Sequence, residues 1–241
     1  MAGTVEEIRE NIAQVEERIA AAARAAGRPA EDVRLVVVTK AQPVEVIRAA
    51  VEAGARILGE NYPQESQPKI EALGSVPGVE WHMIGHLQSR KAPIIVQHFD
   101  VLQSLDSLSL AEKLDRRLEE AGRVLPVLLE LNVGGEESKY GWTVPDEAAL
   151  ELVLPELEAI MQQPNLVVNG LMTMPPLYGD PQQTRPFFER LRLLRDLLAR
   201  RFGVEHFREL SMGTSADYEV AVQEGATLVR VGTAILGPRP R

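Results

Sequence analysis

Arg34-Leu35-Val36-Val37-Val38-Thr39-Lys40 decides how the rest of the chain reads. Four apolar residues in a row, three of them valine, form the pattern of a strand buried on both faces, as parallel strands are. Ala41-Gln42-Pro43 then turns the chain towards a helical pattern. Lys40 therefore stands where a parallel strand leaves the core, the place where α/β proteins assemble their sites. A lysine there can be partly desolvated, neutral at working pH and able to condense with an aldehyde. The plainer alternative is a lysine whose stem snorkels from the strand end to water.

Outward from this run the chain alternates. Strands are expected over 34–40, 55–60, 80–85, 101–106, 126–133, 166–173, 207–212 and 227–232. Helical patterns lie between them near 43–53, 62–73, 89–97, 108–121, 146–162, 181–202 and 216–224. Gly54, Gly122 and Gly225 each follow a helical pattern and precede a strand, which fits helix-terminating glycine. Asp180-Pro181-Gln182-Gln183 has the order of a helix start. Val5, Ile8, Ile12, Val15 and Ile19 line one face of a preceding N-terminal helix, with Thr4 and Glu7 as a capping box.

This alternation predicts a single (β/α)8 barrel of the TIM type with an extra N-terminal helix, one domain covering 1–241. A doubly wound sheet competes, but no Gly-x-Gly-x-x-Gly follows the first strand. One helix is missing after the last strand, and the N-terminal helix is placed to cover that gap. The net charge of −9 argues against a general nucleic-acid or anionic-membrane surface. No cysteine is present, which excludes disulfides and thiolate chemistry. No 18-residue apolar run occurs, and Met1–Glu7 lacks the basic-then-apolar order of a signal peptide, so a cytoplasmic protein is expected.

Candidate site residues are the polar groups at strand ends: Glu60, Asn61 and Tyr62; His82, His86 and Gln88; Ser104 and Asp106; Asn132 and the loop after it; Met172 and Thr173. The loops after the last two strands, Ser211-Met212-Gly213-Thr214-Ser215-Ala216-Asp217 and Gly232-Thr233, sit where barrels bind phosphate. Thr214 or Ser215 is placed to cap the helix that follows. If its two flanking valines face the helices, Arg230 points into the barrel and needs an anion or acceptor; Asp106, Glu60 and Asp217 are the structural partners to consider. Of the five lysines, Lys69, Lys91 and Lys113 read as solvated helix residues, and Lys139 beside two glutamates is the only rival to Lys40. His82 and His86 make a poor metal pair, and no metal site is expected. Tyr62, Trp81, Phe187 and Phe188 read as packing residues.

Taken in order, Val38-Thr39-Lys40, Gly59-Glu60-Asn61-Tyr62, Trp81-His82-Met83-Ile84-Gly85-His86-Leu87-Gln88, Glu137-Ser138-Lys139-Tyr140-Gly141, Gly170-Leu171-Met172, Leu210-Ser211-Met212-Gly213 and Val229-Arg230-Val231-Gly232-Thr233 resemble the pyridoxal phosphate homeostasis proteins. The resemblance implies a barrel similar to the N-terminal domain of alanine racemase, with pyridoxal 5′-phosphate (PLP) held as a Schiff base on Lys40. It further implies Arg230 at the pyridine nitrogen, Ser211, Gly213, Ser215, Gly232 and Thr233 around the phosphate, and Asn61, His82 and Met172 near the ring. Arg90, Tyr140 and Leu236 depart from the family's usual residues. The implied role is intracellular PLP (vitamin B6) homeostasis without robust enzymatic turnover and with no catalytic residue. PLP-dependent apo-enzymes are the implied recipients, and a monomer or weak homodimer is expected. The alternative is a fold-type-III PLP enzyme such as an amino-acid racemase, which needs a second acid/base opposite the lysine. Alanine racemases take it from a further C-terminal domain that is not expected in this chain.

Overall fold

The computed structural model describes residues 4–238; Met1–Gly3 and Arg239–Arg241, which the one-domain expectation and the leader reading include, lie outside them. Eight parallel strands form the barrel: β1 (Arg34–Val38), β2 (Ile57–Glu60), β3 (Glu80–Met83), β4 (Val101–Leu105), β5 (Leu125–Asn132), β7 (Leu166–Met172), β8 (Glu209–Thr214) and β9 (Leu228–Val231). A two-residue strand, β6 (Trp142–Thr143), extends the pairing of β5 at its C-terminal end. Each barrel strand pairs in parallel with its neighbours, β1 with β9 and β4 with β5, so the sheet closes on itself. All eight strand expectations match strands in the structure, within a few residues at each end.

Helices follow the strands as the alternation requires: α2 (Val44–Glu52), α3 (Pro63–Leu73), α4 (Ala92–His98), α5 (Leu108–Ala121), α6 (Glu147–Met161), α7 (Arg185–Phe202), α8 (Tyr218–Gln223) and α9 (Thr233–Leu236). Outward-facing strand residues such as Val37, Leu58, Leu102 and Val229 pack with buried helix residues in one continuous apolar layer. Gly54, Gly122 and Gly225 all take positive φ after α2, α5 and α8. Asp180 accepts from the Gln182 N–H at 2.9 Å, but the turn it caps is a 3-10 turn over Pro181–Thr184. The α-helix begins only at Arg185. The single-turn α9 supplies the helix after the last strand.

The N-terminal helix α1 (Val5–Ala25) starts on the expected capping box of Thr4 and Glu7. It buries Ile8, Ile12, Val15 and Ile19 and packs on α8, α9 and α2, where it fills the gap beside the short α9. Asn11 Nδ2 donates to the Ile235 carbonyl at 3.0 Å, tying the first helix to the last. Among the described residues no helix is long and apolar enough to cross a membrane.

Candidate functional site

Strand alternation sorts the residues inside the barrel into layers. The lower layer is apolar, a separate cluster of Val36, Ile57, Leu128, Met172 and Leu228. Above it lie His82, Gln103, Ser211 and Arg230, all buried. Above these, at the C-terminal mouth, opens a cavity of about 330 Å³ lined by Lys40, Asn61, Ser215, Arg230, Gly232 and Thr233. Val38, Ile84, Met174 and Leu177 give it apolar walls.

Lys40 reaches this mouth from a tight turn. β1 ends at Val38, Thr39 N–H still bonds the Gly59 carbonyl of β2 at 2.9 Å, and Gln42 N–H closes back on the Thr39 carbonyl at 3.0 Å. Ala41 takes φ +58° in that turn, the one positive φ among the described non-glycine residues. A left-handed alanine costs roughly 1–2 kcal/mol, which the surrounding bonds must hold. Beneath the turn Glu60 is fully buried, accepting from Thr39 Oγ1 at 2.8 Å, Ser66 Oγ at 3.2 Å and Lys69 Nζ at 3.1 Å. This corrects the reading of Lys69 as solvated. Its ammonium reaches in from α3 and also touches the Thr39 carbonyl at 3.4 Å.

Arg230 is 3% exposed and has no carboxylate within ion-pair distance among the described residues. None of the three expected partners forms an ion pair with it among the described residues. Glu60 belongs to Lys69, Asp106 bonds His86 Nδ1 at 2.7 Å, and Asp217 accepts from Thr214. Arg230 instead donates to Ser211 Oγ, and to the Thr173 carbonyl at 2.9 Å. Burial lowers its pKa to about 10, opposed by Asp217 and Glu130, so it stays cationic at neutral pH.

The bonds from Arg230 continue across the barrel in one direction. Ser211 Oγ donates to Gln103 Oε1 at 2.6 Å, and the Gln103 amide meets His82 Nδ1 at 2.7 Å. His82 Nε2 meets Glu80 at 3.0 Å, at the exposed N-terminal end of β3. Because the amide NH2 can only donate, His82 Nδ1 must accept, which puts the ring proton on Nε2 facing the Glu80 carboxylate. Every donor in the chain then points from the arginine towards the glutamate. Gln103→Leu breaks two of these bonds and strands a buried hydroxyl and a buried ring nitrogen, so it is expected to cost about 1–3 kcal/mol in urea unfolding. A change in the 15N shifts of the His82 ring should accompany it. Unmoved shifts would remove Gln103 from the chain.

Six of the ten residues singled out from the sequence thus share one cavity: Lys40, Asn61, Ser215, Arg230, Gly232 and Thr233. The other four do not line it. His82 and Ser211 lie one layer deeper and Met172 in the apolar layer below that, and the residues two positions on, Ile84 and Met174, or four on, Ser215, take their places at the wall. Gly213 faces α8, where an added Cβ would stand 2.5 Å from Ala221 Cβ and 2.9 Å from Tyr218 Cα. Neither Thr214 nor Ser215 caps α8. Asp217 takes the Thr214 N–H and hydroxyl, and Ser215 Oγ accepts from the Gly232 N–H at 3.3 Å, joining the two last loops. Gln103, Met174 and Leu177 were not singled out. The signal for Gln103 was a polar residue inside the run Val101-Leu102-Gln103-Ser104-Leu105.

Residues 8–240 match the family described as "Alanine racemase, N-terminal domain". The chain is 42% identical over 230 residues to the pyridoxal phosphate homeostasis protein of Aquifex aeolicus, covering 95% of this chain and 97% of that one. The chain belongs to the pyridoxal phosphate homeostasis protein family. The structure of PipY from Synechococcus elongatus with PLP bound superposes with a TM-score of 0.79 at 37% identity, covering 95% of this chain and 100% of that one. The alanine racemase of Clostridium difficile shares the fold, with a TM-score of 0.73 at 16% identity, and this chain spans 58% of its length. The barrel is therefore the one common to this homeostasis family and to the alanine racemases.

Proposed function

We propose that this chain, acting as one domain, binds PLP in the Lys40 cavity and holds it reversibly for intracellular supply to PLP-dependent apo-enzymes. The observation that carries this reading is the convergence of a strand-end lysine, a buried arginine without an ion-pair partner among the described residues, and two hydroxyl-bearing loops on one cavity. The residues fit the cofactor by their chemistry. PLP brings an aldehyde that condenses with a primary amine, a pyridine nitrogen that accepts a hydrogen bond, and a phosphate. Lys40 is the amine in this cavity. Arg230 presents a fixed cation to the ring nitrogen. Thr233 and Ser215 offer hydroxyls to the phosphate, while Val38, Ile84 and Met174 supply apolar walls for a flat ring.

Holding suits this site better than carbanion chemistry. An arginine that remains cationic keeps the ring nitrogen unprotonated and weakens the electron sink on which such chemistry depends. The chain of bonds behind it, ending on Glu80, keeps that arginine in place.

Borohydride reduction of the PLP-loaded protein, followed by peptide mapping, tests the reading. The adduct is expected on Lys40. An adduct on Lys139, or none, would overturn the assignment, and brisk racemisation of alanine would overturn the absence of turnover.

A further inference from the structure

A second cavity, of about 420 Å³, opens beside the first and shares Asn61 with it. Its walls come from Asn61, Tyr62, His86, Gln88, Lys91 and Tyr140. These residues include much of Asn61-Tyr62 and Gly85-His86-Leu87-Gln88, strings that the Lys40 cavity uses only through Asn61. Tyr62 is 52% exposed, which corrects its reading as a packing residue.

The cavity is built rather than left over. Gly85 forms part of its wall, and an added Cβ there would stand 2.5 Å from the Asn61 carbonyl, so glycine is what lets the ends of β2 and β3 close together. The His86 ring is fixed on one edge by Asp106, at 2.7 Å from Nδ1, and on one face by Tyr140, stacked at 3.7 Å and 5°. Its Nε2 has no partner among the described residues. Lys91 is half-buried, and its ammonium makes no ion pair or hydrogen bond among the described residues. Asn61 Oδ1 is buried with no donor among the described residues.

The uncommitted groups define a ligand. Asp106 is engaged by His86, and Lys91, half-buried in the wall, is the cation placed to receive an anion. Asn61 Oδ1 is a buried acceptor and asks for a donor. We propose that this second cavity binds a small carboxylate bearing a hydroxyl or ammonium group, its carboxylate towards Lys91 and its donor towards Asn61. Because Asn61 lines both cavities, the ligand sits against the mouth of the Lys40 cavity. The inference is told apart from cofactor binding through Lys91, which lines the second cavity and not the first; Asn61 lines both.

Isothermal titration with L-lactate, L-alanine, propionate and inorganic phosphate tests it. The first three differ only at the second carbon, and lactate has no amine that could compete for an aldehyde at Lys40. Saturable binding of lactate or alanine is expected, with propionate weaker. Lys91→Met should weaken the better ligand about tenfold, as loss of one charged hydrogen bond implies. Gln88→Ala provides a second variant in the same wall. Absorbance of added PLP, read separately, shows that each variant is folded and whether the first cavity works. No saturation with any probe, a preference for phosphate or propionate, or full affinity in Lys91→Met would each overturn the proposal.

Discussion

Replacing Lys69 by methionine is expected to lower the free energy of unfolding by about 3–5 kcal/mol, the range for breaking a buried ion pair from one side. Glu60 is wholly inside the protein, and Lys69 Nζ stands 3.1 Å from its Oε1. The hydroxyls of Thr39 and Ser66 remain, but two neutral donors do not replace the cation that offsets burial of the carboxylate. The methionine stem keeps most of the packing, so the loss reports the charge. Glu60→Gln in the same background should restore part of it, because the uncompensated charge is then gone. Urea unfolding of the three variants at neutral pH measures this. A Lys69→Met change within about 0.5 kcal/mol, the scale of an ordinary surface substitution, would show the pair to be solvated. The same pair holds the Thr39 carbonyl, one residue before Lys40, so the damage should extend to the turn that presents the lysine.

How much of this was legible depended on the range of the interactions. Parallel strands buried on both faces are near-continuous apolar runs, and the glycines ending α2, α5 and α8 mark the joints between them, so the barrel could be read in order. The two-residue β6 carries no period to detect, and α9 is a single turn whose residues look like a loop. Which strand ends face the mouth was also legible, because it follows from the order of the elements.

Depth was not legible. Residues two apart on a strand share a face but differ by a layer, and only the tilt of each strand decides which of them reaches the cavity. His82, Met172 and Ser211 were assigned to the ligand, and none of them lines the Lys40 cavity; two of them belong to the chain of bonds that holds Arg230. Lys69 shows the same limit for a long side chain. On α3 its position reads as solvated, yet its stem is long enough to carry the ammonium to a carboxylate nine residues earlier in sequence.

Glu130→Gln is expected to flatten the dependence of stability on pH. Glu130 stands on β5 between the barrel residues Leu128 and Asn132, is 6% exposed, and its Oε2 has no hydrogen-bond partner among the described residues. Burial, with a smaller push from Asp106, raises its pKa from the ordinary 4.5 to about 7, against the opposing pull of Arg230 and Lys139. A carboxyl raised in this way favours the folded state while it is protonated in both states, below about 4.5. That contribution is lost as pH rises through about 7, because the folded protein must then ionise a group it buries. The gap of 2.5 between 4.5 and about 7 corresponds to about 3 kcal/mol, most of it lost between pH 5 and pH 8. An amide carries no charge at either pH, so the difference between the wild-type and Glu130→Gln unfolding free energies should shift by about 2–3 kcal/mol across that window, in favour of the variant at the higher pH. Comparing slopes rather than absolute values removes the cost of placing an amide in the site. Parallel wild-type and variant profiles from pH 5 to pH 8 would mean that Arg230 already pairs with an ionised Glu130, and that the barrel interior holds a charge pair in place of a lone cation.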